Sequence, residues 1–153
     1  MSAHLAISGP VGSIIGWSDG TPRPSERHHR KLSAWRTNNS SGRLIRRQDE
    51  HPVEKTVTLP CFTLHEADYG AGGVTTIRVH RTFSSDTSLT YSFVERPVIG
   101  SCRVFDRAGD NAEFVHLAAN GEDVVGTNWM STTVTPKRPN LAVGLGIIAH
   151  LPE

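Results

Sequence analysis

The chain predicts an all-β fold, an antiparallel sandwich or barrel of jelly-roll type, preceded by a basic and partly irregular N-terminal region. Three observations predict it. Apolar residues alternate with period two over several stretches, which is the mark of half-buried strands. Turn-forming groups such as Tyr69-Gly70-Ala71-Gly72-Gly73, Asp106-Arg107-Ala108-Gly109-Asp110 and Asn120-Gly121 punctuate those stretches. Positive charge is gathered into one window. Between Arg23 and Arg47 eight basic groups face a single acid, Glu26, a net +7 in a chain whose total is +1, so the remainder carries −6.

The N-terminal segment, Met1 to Trp17, is mildly apolar but is interrupted by Gly9, Pro10 and Gly12. It lacks a basic leader, so it reads as neither signal peptide nor membrane span, and a short strand fits residues 11–17. Residues 18–52 hold only Leu32, Ala34, Trp35, Leu44 and Ile45 as apolar side chains. A core needs more than that, so residues 1–52 read as a basic, partly flexible arm and residues 53–153 as the β-domain.

Within that domain Val57, Leu59, Phe62 and Leu64 form a run in which Pro60 demands an edge or a bulge. Ile77, Val79, Arg81 and Phe83 alternate, as do Leu89, Tyr91 and Phe93, and the link at Ser84–Ser88 has hairpin length. Val98–Phe105 and Val124–Val134 read as further strands. Ala112–Ala119 fits either a helix capped by Asp110 or Asn111 or another strand. The most regular pattern comes last: Leu141, Val143, Leu145, Ile147, Ala149 and Leu151 alternate without a break, one face of a long core-facing strand.

Chemistry is sparse in this sequence. No nucleophile elbow is present, and Gly70–Gly73 is not followed by the Lys-Ser/Thr of a phosphate-binding loop. His65, Glu66 and Asp68 are three metal-ligand types in four residues, but zinc sites want wider, paired spacing, so they read as a polar strand end. Asp106, Asp110 and Asn111 lack the twelve-residue calcium pattern and read as a turn. Cys61 and Cys102 are too few for a disulfide framework and read as free thiols made in a reducing compartment. The expectation is therefore a protein without enzymatic activity, metal or cofactor.

The basic window is the candidate site. Arg23, Arg27, Arg30, Lys31, Arg36, Arg43, Arg46 and Arg47 would neutralise phosphates through counterion release, and Trp35 would offer a stacking surface to an unpaired base.

A basic arm before a Val/Thr/Ser-rich β-domain resembles small RNA-virus coat proteins. In those proteins an arm meets the genome and the β-domain builds the shell. The even spacing of Arg43, Arg47 and Lys55 also suits the variant in which basic residues sit on the sheet itself, as in coats of single-stranded RNA bacteriophages. The resemblance implies a virion protein made in the host cytoplasm. Its partners would be copies of itself and single-stranded RNA, with no membrane. Two alternatives share the organisation: a small β-fold binding module of phage-tail or adhesin type, and a small β-fold enzyme.

Overall fold

A computed structural model describes residues 3–53, 56–109, 112–126 and 149–150. The chain divides into two compact units, residues 1–96 and 97–153. The class is all-β and antiparallel, as expected, and the main sheet does not close into a barrel. The division itself lies elsewhere than the expected one at residue 52. The basic region is built into the first unit, because two strands run through it.

The first unit opens with a short helix, α1 (Ala3–Ser8), followed by strand β1 (Ile14–Ser18). Helix α2 (His29–Asn38) and strand β2 (Ser40–Gln48) come next. A small hairpin, β3 (His51–Val53) and β4 (Thr56–Thr58), precedes three strands: β5 (Cys61–Ala71), β6 (Val74–Ser84) and β7 (Thr90–Glu95). The five long strands form one antiparallel sheet in the order β6-β5-β2-β1-β7. β1 and β2 thus occupy interior positions. β1 alternates as a strand should, with Ile15 and Trp17 buried and Ile14, Gly16 and Ser18 half-buried. Its pairing with β2 matches Ile15 to Gly42 and Trp17 to Ser40. A β-carbon on Gly42 would sit 2.8 Å from the His65 carbonyl oxygen, so the small residue lets β2 lie flush against β5.

The link at Ser84–Ser88 is not a hairpin. β6 and β7 end on opposite edges of the sheet, four strand spacings apart, which in a flat sheet is about 19 Å. Yet Phe83 of β6 and Tyr91 of β7 have ring centroids 5.5 Å apart. The sheet must therefore roll until its inner faces meet. Phe62, Phe83, Tyr91 and Trp17 fill the interior of the roll, with neighbouring centroids 5.2–5.5 Å apart. Helix α1 packs against β7 and β5. Arg47 holds its end by donating to the carbonyls of Ile7 (3.1 Å) and Gly9 (3.0 Å).

In the second unit β8 (Cys102–Phe105) lies between β9 (Phe114–Ala118) and β10 (Ala149–His150). The open choice over residues 112–119 falls to the strand: Phe114 and Ala118 are buried, and Phe114 meets Phe105 edge-on. Strand β8 starts only at Cys102, because residues 98–101 turn back, with the buried Ser101 hydroxyl donating to the Val98 carbonyl at 2.6 Å. Gly121–Gly126 is a short helix, α3, where the start of a strand was expected. The Asn120 side chain caps it by accepting from the Asp123 N–H at 2.9 Å, and Glu122 and Asp123 suit its positive end. The rest of the expected strand to Val134 lies outside the described residues, as does the long C-terminal pattern except for Ala149 and His150. Those two pair with Arg103 and Cys102. Cys61 and Cys102 are free thiols. Among the described residues no helix is long and apolar enough to cross a membrane.

Candidate nucleic-acid interface

The basic window splits into two groups with different surroundings. Arg43, Arg46 and Arg47 belong to β2. Arg43 donates to the Gly12 carbonyl at 2.7 Å, just before β1, and Arg47 holds the end of α1. Arg46 is half-buried in the same strand. Arg43 and Arg47 bind the protein's own backbone, so the expectation of a row of phosphate contacts on the sheet does not carry to them. Lys55 lies outside the described residues.

The second group sits on α2 and the loop before it. Residues 25–41 contain neither Pro nor Gly, while Pro22 and Pro24 stand just ahead of them, so a helix can start only after that point. Leu32 is its buried residue, and Trp35, three positions on, is half-buried beside it. The Trp35 indole N–H donates to the Thr21 carbonyl at 2.9 Å, which fixes the ring and the incoming loop together. At the other end the Thr37 carbonyl accepts from Trp17 Nε1 (3.1 Å) and from Arg81 Nη1 (2.6 Å). Arg81 also lies over the Trp17 ring, 5.4 Å from its centre, and pairs with Glu66 at 3.3 Å. Two strands thus anchor the negative end of the helix. Arg81 was missed as a positioning residue. Its signal was a charge at an inward place in the Ile77, Val79, Phe83 alternation.

The exposed surface of this element is basic. Arg27, Arg30, Lys31 and Arg36 are exposed, as are His28 and His29. The first turn has no acid, and His28 at the cap makes no side-chain bond to it. Cations at the positive end of a helix raise its energy, and an arriving anion relieves it. Arg23 is already paired with Glu26 at 3.0 Å. Arg27 reaches His28 at 3.1 Å.

Asp19 organises the loop from the other side. Its carboxylate accepts from the Thr21 hydroxyl (2.6 Å), the Thr21 N–H (2.9 Å) and Asn39 Nδ2 (2.9 Å), with Asn38 at 3.3 Å. Those hydrogen bonds, the Thr21 hydroxyl first, hold its pKa well below the usual carboxylate range. The folded value is depressed, so the stabilisation is present above the unfolded value of about 3.9 and is lost as the pH falls toward the folded one. Stability is expected to fall as the pH drops below about 4. Asp19→Ala should be less stable at neutral pH and should lose part of that acid dependence. The comparison is chemical denaturation of both proteins between pH 7 and pH 2. Parallel curves would show that Asp19 does not hold the loop. The loss is partial because Asp68, bonded first by His65 and then by Arg78, is depressed too.

The residues suspected as metal ligands are engaged with one another or with arginines. His65 meets Asp68 at 2.9 Å, and Glu66 meets Arg81. Among the described residues no group of three or more such side chains converges. Asp106 accepts from the Glu113 N–H at 2.8 Å and pairs with Arg107, the pattern of a closed turn, while Asp110 and Asn111 lie outside the described residues.

No curated protein and no solved structure matches the chain. A family model does match, over residues 1–143, which reaches through the first unit and well into the second. The chain therefore belongs to the family described as uncharacterised conserved protein UCP036055.

Proposed function

We propose that this chain binds single-stranded nucleic acid, RNA in the first place, through the loop before α2 and the outward side of α2, and that it does so as a self-assembling coat subunit of a virion. The observation that carries the reading is the exposed set Arg27, Arg30, Lys31 and Arg36. None of the four has a carboxylate partner among the described residues, and they sit on the loop before α2 and on α2 itself, which the sheet holds by its far end. A firmly docked scaffold with a free basic face keeps its fold when phosphate oxygens replace water around the guanidinium groups. Trp35 stays part of the reading as a half-exposed ring beside those charges. The coat role rests on the sequence resemblance alone, a basic window ahead of Val/Thr/Ser-rich strands. No cofactor and no reaction belong to this reading.

The arrangement sets a magnitude. Four free cations on a single strand give a slope of log affinity against log salt of about −3. Replacing Arg27, Arg30, Lys31 and Arg36 by Ala should bring the slope close to zero while leaving the fold intact. Arg47→Ala is the contrasting variant. It should leave the slope unchanged and lower stability by about 1 kcal/mol, since the lost hydrogen bonds are charge-assisted but one is exposed and the other only partly buried. Fluorescence anisotropy with labelled oligonucleotides over a salt series reads both. A quadruple variant that keeps the wild-type slope would rule the interface out.

A further inference from the structure

Strands β5 and β6 continue past the sheet that contains them. β2 pairs with β5 only from Cys61 to His65, whereas β5 and β6 stay paired out to Ala71 and Val74. The result is a two-stranded ribbon with two unlike faces. Ala67 pairs with Val79 and Tyr69 with Ile77, on the face that carries Phe62 and Phe83 further down. Asp68, Arg78, His65 and His80 take the other face, where Asp68 bonds both His65 (2.9 Å) and Arg78 (3.0 Å). Tyr69 is 60% exposed, Val74 67% and Ile77 58%.

β6 is also the last strand of its sheet, and its outer side has no strand partner among the described residues. It is 11 residues long and contains neither Pro nor Lys. Its irregularities, at Glu66 of β5 and Thr76 of β6, leave it regular from Ile77 to Ser84. A long regular edge of this kind is a template whose natural complement is another extended strand.

We propose that the edge of β6 pairs antiparallel with the same edge of a second copy of this chain, about a two-fold axis at Val79. The inference goes beyond the nucleic-acid reading and does not depend on it. Charge selects the axis. A two-fold axis normal to the sheet sets one residue against itself, and at Arg78, His80 or Arg81 it would oppose like basic groups. An axis at Ile77 would run the ladder through the irregularity at Thr76. At Val79 the opposed residues are Val79 with the partner's Val79, Ile77 with the partner's Arg81, and Arg78 with the partner's His80. Arg81 turns its guanidinium inward to Glu66 and Thr37, so only its apolar stem meets Ile77. The charge of Arg78 is met by Asp68. The pairing covers the flanks of exposed Ile77 and half-buried Val79 and satisfies the edge's backbone groups.

A ladder of this length is smaller than a standard interface of roughly 800 Å² per partner, so association should be weak, with a mass near two chains only at high protein concentration. Sedimentation or light scattering of the full chain should show that mass rising with concentration. Ile77→Lys, at an exposed position, should return it to one chain with an unchanged circular dichroism spectrum. Val79→Cys should form a disulfide-linked dimer under mild oxidation. His80→Cys should not, because its own copy would lie more than about 7 Å away, beyond disulfide reach. The wild type, with Cys61 and Cys102, sets the background. A mass of one chain at every concentration would overturn the proposal, as would cover of the edge by another segment of the same chain, which gives that same mass. Equal crosslinking at positions 79 and 80 would overturn the two-fold register.

Discussion

A chain that begins at residue 53 will not form the five-stranded sheet. The deletion removes β1 and β2, the two strands that join β7 to β5. What remains of that sheet is the β5–β6 hairpin and a lone β7, with Phe62 and Leu64, both fully buried in the whole protein, turned to water. A two-stranded hairpin has no independent stability in water. Lost with the strands are Trp17, Leu44 and Ile15, each 3% exposed or less. At roughly 1.5–3 kcal/mol for each such side chain, the sum is comparable with the whole stability of a domain, about 5–15 kcal/mol. A second piece, residues 1–96, should keep the sheet and unfold cooperatively, since it coincides with one compact unit. Circular dichroism and urea titration of the two truncated chains decide the matter. A folded chain from residue 53 onward would restore the idea of a dispensable arm.

That idea came from a real feature of the sequence. Residues 18–52 are poor in apolar side chains, and the strand class was legible where alternation was unbroken, as in Ile77 to Phe83. β2 was legible only in part: Arg43, Ile45 and Arg47 alternate, but Leu44 and Ile45 are adjacent where a strand should alternate. Both are buried, since the ladder with β5 slips at that place: Leu44 pairs with Leu64 and Arg46 with Thr63, leaving Ile45 as the extra residue. Helix α2 escaped for a different reason. Its buried side consists of Leu32 and, in part, Trp35, and its stability is drawn from bonds to Thr37 made by Trp17 and by Arg81, the latter 44 positions away. Periodicity carries no trace of such bonds. The same holds for the site. The sequence showed where the cations are, but not that Arg43 and Arg47 would be taken up by carbonyls of Gly12, Ile7 and Gly9. The choice between a two-faced ribbon and a plain hairpin was likewise set by pairing, which composition does not record.

Phe62→Ala should cost about 3–5 kcal/mol, the ordinary loss for a fully buried aromatic side chain that leaves a cavity. Phe62 is 0% exposed, stacked on Phe83 and edge-on to Tyr91. For a unit of this size the melting temperature should fall by about 12–40 °C, whereas Tyr69→Ser, at an exposed aromatic, should move stability by no more than about 0.5 kcal/mol. The informative measurement is the coupling between Phe62 and Tyr91. Their strands are three spacings apart in the sheet, about 14 Å if it were flat, and residues that far apart add independently. Rolling brings their rings to 5.3 Å, where an aromatic pair is worth about 0.5–1.5 kcal/mol beyond its buried area. A double-mutant cycle on Phe62→Ala and Tyr91→Ala should therefore return a coupling of that order. Additive losses would mean that the two edges of the sheet do not meet, and the interior of the first unit would have to be drawn again with β6 and β7 apart.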